Sequence, residues 1–304
     1  MANGRPVRAI GLRAALLVLA MGPFSAPRAE TPPFDVNLVE RIPQLLEQYS
    51  RAGDFALPGL SPTELATVAA GESVVAPFRE PSTHQVDAMQ IVGWRVVAAP
   101  RLLVWLSILD GGEVSSARLH HAVLQQRAAG AYVSYHHMTL PWPFKDRQWT
   151  LLCDKNLSLA DDSQGVIWEH RWTLLPRDDA LLDTAYQNGL VPGLTRQAVD
   201  DSVYLRANRG AWILFDLGPA GTLVAATMDV DFGGHLPGAL VRSFAKHQLR
   251  TFLESLSALR GTRYDGMPMI HDGRGLPITR EAATAAWSEP AQPRLAEASG
   301  ATVR

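Results

Sequence analysis

PGALVRSFAKHQLRTFLESLSALR, running from Pro237 to Arg260, is the most regular stretch of this 304-residue chain. Proline suits a helix start, and after it Leu240, Val241, Phe244, Leu249, Phe252, Leu253, Leu256 and Leu259 return at three- and four-residue intervals. Arg242, Lys246, Arg250 and Glu254 lie mostly on the other side. The spacing predicts an amphipathic helix of about six turns with one apolar stripe. That stripe needs a cover, and the one large apolar surface the sequence offers is the concave side of the strands before it.

Upstream the signals are those of strands. VVAPF (Val74–Phe78) and AMQIVGWRVV (Ala88–Val97) are rich in β-branched and aromatic residues, and Pro100 then opens RLLVWLSILD, an apolar helix of about three turns. VLQQRAAGAYVSYHHMTLPW reads as a hairpin closed at Gly130. RQWTLLCDKNLSL (Arg147–Leu159) and VIWEHRWTLLP form a second hairpin through Asp161, Asp162, Ser163 and Gly165. A polar loop with Pro192 and Gly193 leads to SVYLRANRGAWILFDLG and TLVAATMDV, with GPAGT at Gly218 as the turn between them. Six or seven consecutive strands on tight turns predict an antiparallel sheet and an α+β class. Before the strands, PQLLEQYSRA (Pro43–Ala52) predicts a short helix, and Ser61, Pro62, Thr63 and Glu64 supply the cap, N1 proline and early acid of another. Beyond Gly261 the periodicity is lost, and from about Ser288 a mobile tail is expected.

Two strands, a helix, many antiparallel strands and one long C-terminal helix resemble the helix-grip fold of the START lipid-transfer domains and their wider superfamily. Leu140-Pro-Trp-Pro-Phe-Lys-Asp146-Arg147-Gln148-Trp149 resembles the START pattern of prolines followed by an Asp-Arg-Asp-aromatic step where a strand begins. Gln148 stands in place of the second acid, so the ion pair of that acid is not carried over. Asp231, Gly233, Gly234, Leu236 and Pro237 resemble the family's approach to its last helix, and GWRVVAAPRLLVWLSILD the wider superfamily's early strand-to-helix passage. The resemblance covers roughly Glu72 to Gly261. It implies a curved antiparallel sheet of six to seven strands wrapped around the C-terminal helix, with a cavity between them. It also implies binding, and transfer with transient membrane contact, of a lipid or sterol-like molecule. Cyclases and aromatases of the same superfamily use that cavity for chemistry, and a filled core would instead make the domain a non-catalytic interaction module. The organisation expected is residues 1–29 as a leader, 30–70 as an N-terminal helical segment, 71–261 as the START-like domain and 262–304 as an extension.

The leader reading rests on Arg5, Arg8 and Arg13, then the apolar run Ala14–Met21, then small residues and proline up to Ala29, the anatomy of a cleaved secretory signal. Its apolar core is short of the roughly 20 residues that span a bilayer. A periplasmic or secreted location is therefore expected. Lys plus Arg (28) nearly balance Asp plus Glu (30), so no basic field marks a nucleic-acid binder. A single cysteine, Cys153, excludes an internal disulfide framework and any multi-thiolate zinc site.

Strand alternation nominates the residues of the cavity. In VIWEHRWTLLP, Val166, Trp168, His170, Trp172 and Leu174 share one face and Ile167, Glu169, Arg171 and Thr173 the other. Glu169 and Arg171 either stand inside the cavity and hold a polar headgroup or form the solvent face of the sheet. Tyr204 and Arg206 carry the same ambiguity. His136 and His137 point to opposite faces, as do His120 and His121, so neither pair chelates a metal, and no metal or cofactor is expected. Cys153 reads as a small packed hydrophobe, and neither a GxSxG elbow nor an HExxH string occurs. The ligand-contact set is His136, Trp149, Arg171, Tyr204, Arg206, Trp212, Leu240 and Phe244, the last two because they lie on the apolar stripe near the start of the long helix.

Overall fold

The computed structural model of the protein describes residues 36–78, 89–109, 119–191, 193–234, 236–256, 270–279 and 282. The leader, Leu259 with the end of the expected long helix, and the tail from Ser288 lie outside the described residues.

Helix α1 (Val36–Ala52) begins well before Pro43, which sits inside it. Leu38, Ile42, Leu45 and Tyr49 explain the added turns: they fall at helical spacing, and all four are buried, which outweighs the missing proline N–H. Helix α2 (Pro62–Ala69) follows the predicted signal, with a capping box in which the Ser61 hydroxyl accepts from the Glu64 amide and the Glu64 carboxylate accepts from the Ser61 amide at 2.9 Å.

Nine strands form the main sheet, against the six or seven expected: β1 (Val74–Pro77), β2 (Met89–Val97), β3 (Leu119–Gln126), β4 (Tyr132–Met138), β5 (Arg147–Lys155), β6 (Ile167–Leu174), β7 (Val203–Tyr204), β8 (Ala207–Asp216) and β9 (Thr222–Asp231). Their order is β1-β2-β9-β8-β6-β5-β4-β3, with β7 beside β5. Every pairing is antiparallel except the two-residue contact of β5 with β7. One added strand arises because SVYLRANRGAWILFDLG breaks at Leu205 and Arg206 into β7 and β8. The remaining helices are α3 (Arg101–Leu109), α4 (Leu157–Asp162), α5 (Asp179–Gln187), α6 (Arg196–Asp201) and α7 (Gly238–Ser255), and β10 (Ile270–His271) pairs with β11 (Pro277–Ile278). Helix α4 replaces the predicted end of the Arg147–Leu159 strand because the Asn156 side chain caps it on the Leu159 amide. Helices α5 and α6 occupy the predicted polar loop, capped by Asp178 and Thr195.

The register assigns each strand residue to a face. Gly93, Ala226, Trp212, His170 and Lys155 are successive partners across β2, β9, β8, β6 and β5, so they share one side, called inner here. Helices α3 and α7 pack there. On the outer side, α1 and α2 cover Trp94, Ile213, Phe215 and Ala225, while α5 and α6 cover Tyr135. This corrects the option of a wet second face: the outer side is also covered.

Helix α7 meets the inner face through Ala245, Leu249, Phe252, Leu253 and Leu256, all buried. Phe244 is turned about 100° from Ala245 round the helix axis and is 40% exposed, so its expected place on the buried stripe is corrected. Leu253→Ala is expected to cost about 2–5 kcal/mol of unfolding free energy in urea titrations, and Phe244→Ala under about 1 kcal/mol. Equal losses at the two positions would contradict this packing.

Candidate functional site

The inner face beyond the reach of α7 is the candidate site. Its floor is β3 to β6, and each side chain is set by the alternation of its strand. Strand β4 contributes Tyr132, Ser134, His136 and Met138; β5 contributes Trp149, Leu151 and Cys153; β6 contributes His170, Trp172 and Leu174. Met138, Trp149, Leu151, Cys153, Leu205 and Val230 form an apolar cluster that includes no described side chain of α7.

Aromatic stacking orders the wall. The His136 ring lies on Trp149 at 5.3 Å and 4°, and against His121 at 4.7 Å. Trp172 donates from Nε1 to Asn208 Oδ1 at 2.9 Å and stands 6.2 Å from Trp212, whose ring meets Phe252 of α7 at 4.5 Å. Gly210 makes room for Trp172: a Cβ there would fall 2.3 Å from the indole.

Polar groups run along the same wall. His170 Nδ1 lies 3.1 Å from the Asp154 carbonyl, which only accepts, so Nδ1 carries the proton and Nε2 accepts from the Tyr132 hydroxyl at 3.2 Å. Ser134 Oγ lies 3.0 Å from His136 Nε2 and 3.6 Å from Cys153 Sγ. Burial, with the Lys155 ammonium nearby, pushes His170 down to about 3, and burial with His121 as neighbour holds His136 well below the usual histidine range. Burial also lifts the Cys153 thiol to about 11, which leaves it protonated and a poor nucleophile. Among the described residues no three His, Cys, Asp or Glu side chains converge on a metal position.

Of the expected contact set, the structure brings His136, Trp149 and Trp212 to the inner face. It places Arg171 on the outer face, paired with Asp154 at 2.8 Å and in short contact with Asp54, so its expected position in the cavity is corrected by strand parity. Its neighbour Glu169 is fully buried beneath α1, accepting from the Tyr49 hydroxyl at 2.6 Å and the Asn156 amide at 2.7 Å. Tyr204 pairs with the outward-facing Gln148 and donates to the Leu175 carbonyl at 2.8 Å, so it too lies away from α7. Arg206 is exposed outside the strands, its amide donating to the Asp231 carbonyl at 3.0 Å. Leu240 is in α7, its side chain outside the described residues. The sequence reading missed His121, Tyr132 and Ser134. Alternation from His136 marks Ser134 and Tyr132 as its same-face neighbours, whereas His121 needs the β3–β4 register.

Because unfolded His170 takes a proton near pH 6.5 and the native ring takes one only at about 3, the unfolded chain binds more protons between these values. Native stability is therefore lost as pH falls from 6.5 towards 3, and His136 acts in the same direction. Urea titrations are expected to show roughly 2–3 kcal/mol lost to His170 between about pH 7 and pH 4.5. His170→Gln is expected to flatten that slope, and an unchanged slope would contradict the assignment.

No protein-family model and no curated protein matches the chain. In the path of the chain it is similar to human StAR-related lipid transfer protein 5 (15% identity, 73% of this chain and 94% of that one, TM-score 0.46). It is likewise similar to a STAR-related lipid transfer protein from Xanthomonas axonopodis (14% identity, 67% and 96%, TM-score 0.44) and to the Zhui aromatase/cyclase from Streptomyces sp. R1128 (17% identity, 57% and 88%, TM-score 0.32).

Proposed function

We propose that the protein binds one hydrophobic small molecule, lipid or sterol-like, between the inner face of its sheet and α7, and carries it without covalent chemistry. The observation that supports this reading is the surface left on the inner wall beyond α7. Tyr132, His136, Trp172 and Trp212 are half-buried, and His121 is exposed. Yet desolvation lowers both His121 and His136 and raises Tyr132 well above the ordinary tyrosine value. Rings that keep accessible surface on this wall leave area for an apolar molecule to cover. Aromatic walls with a few polar groups are the usual makeup of a small-molecule site. Each buried ligand methylene adds roughly 0.8 kcal/mol, so an acyl chain or a ring system is held by burial alone. The leader read at residues 1–29 fits a carrier working where an apolar cargo otherwise meets water.

Loading at a membrane is part of the proposal. Trp142, between Pro141 and Pro143, is 92% exposed on the loop between β4 and β5. Arg147, where that loop re-enters β5, donates to the carbonyls of Phe232 and Gly233 at 2.8 and 2.9 Å, which sets the loop beside the approach to α7. Lys145 follows Trp142, and Arg242 and Lys246 are exposed on α7. An exposed indole with Lys145 three residues on in the same loop suits an anionic lipid surface.

Protein purified without detergent from its own host is expected to carry one extractable apolar molecule per chain by native mass spectrometry. A mass equal to the bare polypeptide, together with no uptake from lipid vesicles, would overturn the carrier reading. Trp142→Ser is expected to weaken partitioning onto anionic vesicles by about tenfold at an unchanged melting temperature; unchanged partitioning would reject the loop as the contact.

A further inference from the structure

The charges of β5 are disposed of in a way that restricts what its inner wall accepts. Strand β5 carries two cations on its inner side, at its two ends, and both are taken by backbone carbonyls. Arg147 donates to Phe232 and Gly233, and Lys155 donates to Gly130 at 2.8 Å. Arg95, on the inner side of β2, donates to the Ser73 hydroxyl at 2.9 Å and faces Glu254 of α7. Glu169 and Arg171 point the other way. Between the ends of β5 the wall of β4 and β5 is built from Tyr132, Ser134, His136, Trp149, Leu151 and Cys153, none of them charged. At its centre His136 commits Nε2 to Ser134 at 3.0 Å, while its Nδ1 has no hydrogen-bond partner among the described residues. The facing His121, 4.7 Å away ring to ring, has no ring-nitrogen partner among the described residues either.

We infer that the carried molecule has an uncharged polar end, a hydroxyl or a carbonyl, and that His136, held by Ser134 and backed by His121, is the group that hydrogen-bonds it. The inference rests on the reading that this hollow holds a ligand. Desolvation lowers both imidazoles from the ordinary histidine value, so at neutral pH each offers one N–H and one lone pair. A hydroxyl both donates and accepts and is satisfied by such a pair; a carbonyl accepts from the N–H. A carboxylate or phosphate placed here would be desolvated beside a strand whose two cations, Arg147 and Lys155, are already engaged by backbone carbonyls. Discrimination therefore comes from a missing counter-charge as much as from the contact made.

The test uses three probes with one polyene body: anhydroretinol (hydrocarbon), retinol (alcohol) and retinoate (carboxylate), each followed by quenching of tryptophan fluorescence in the whole protein. Retinol is expected to bind about tenfold or more tighter than retinoate. His136→Phe keeps an aromatic ring on Trp149 and is expected to reduce retinol to the affinity of the hydrocarbon while leaving the hydrocarbon unchanged. Ser134→Ala, a smaller change that frees His136 Nε2, is expected to weaken retinol by a few fold and serves where the phenylalanine variant melts early. Retinoate binding as tightly as retinol, or retinol indifferent to both substitutions, would overturn the neutral-ligand inference and leave the carrier reading standing. Failure of all three probes, the hydrocarbon included, would instead bring down the carrier reading and this inference with it.

Discussion

The seat of α7 on β2 governs the rest of the molecule. At Gly93 a Cβ would fall 2.8 Å from Leu253 Cδ1 and 3.0 Å from Leu249 Cδ2, so the helix lies where the strand has no side chain. Two leucines packed on bare backbone fix the C-terminal half of α7 close to the sheet, and Phe252 then reaches Trp212. The seat is near one edge, at β1 and β2, whereas the polar wall is near the other, at β3 to β5. A single straight helix cannot lie tightly on both. The inner face thus has a half packed on α7, seated where one glycine stands, and a half with its own apolar cluster on which Tyr132, His136 and Trp172 retain accessible surface.

The opposite side of the sheet explains why the charged side chains of β6 stay off the inner wall. Tyr49 of α1 donates to Glu169 and Asn156 closes its other oxygen, so a carboxylate that burial pushes above its ordinary pKa keeps two hydrogen bonds in an enclosed place. One residue pair further along, Arg171 meets Asp154 and Asp54 at a partly wet edge. These contacts tie α1 and the turn after it to β5 and β6. They need the charged side chains of β6 to face outward, and alternation then obliges Trp168, His170 and Trp172 to face inward. The aromatic character of the inner wall and the ionic character of the outer seam are one choice of register seen from two sides.

Much of this was legible in the residues because the strands are short and their periods clean. The split of VIWEHRWTLLP into an aromatic and a charged face, the opposed directions of His136 and His137, the hairpin at Gly218 and the cap at Ser61 all follow from local rules, and the structure has each of them. What escaped depends on contacts distant in sequence. Glu169 is buried because α1 lies over it, and α1 begins before Pro43 because its apolar face finds the sheet. Helices α5 and α6 are short and weakly patterned, held by their caps and by Tyr135, so a reading of local composition takes them for loop. Phe244 misled for a different reason: intervals of three and four tolerate a drift round the helix, and only the packed residues say which part of a broad stripe is buried. Tyr204 has the right character for a ligand contact but sits on the parallel β7, where its hydroxyl receives the Thr150 amide at 3.0 Å and donates to the Leu175 carbonyl.

The wall and the helix are mechanically joined through one aromatic chain. Trp172 meets Trp212, Trp212 meets Phe252, and Phe252 is on the same helix whose leucines press against Gly93. Trp105 of α3 joins from the side, edge-on to Trp168 at 5.4 Å and to His170 at 6.0 Å, with its Nε1 donating to the His271 carbonyl at 2.9 Å. Interiors are close-packed and transmit displacement, so a shift of Trp172 or Trp212 is passed to the contact that positions α7. The hydrogen bonds of Trp172 to Asn208 and of Trp105 to His271 hold both indoles at their polar edges, whereas α7 meets the sheet mainly through buried apolar side chains. The packing of the inner wall and the position of the helix are thereby coupled where Trp212 touches Phe252.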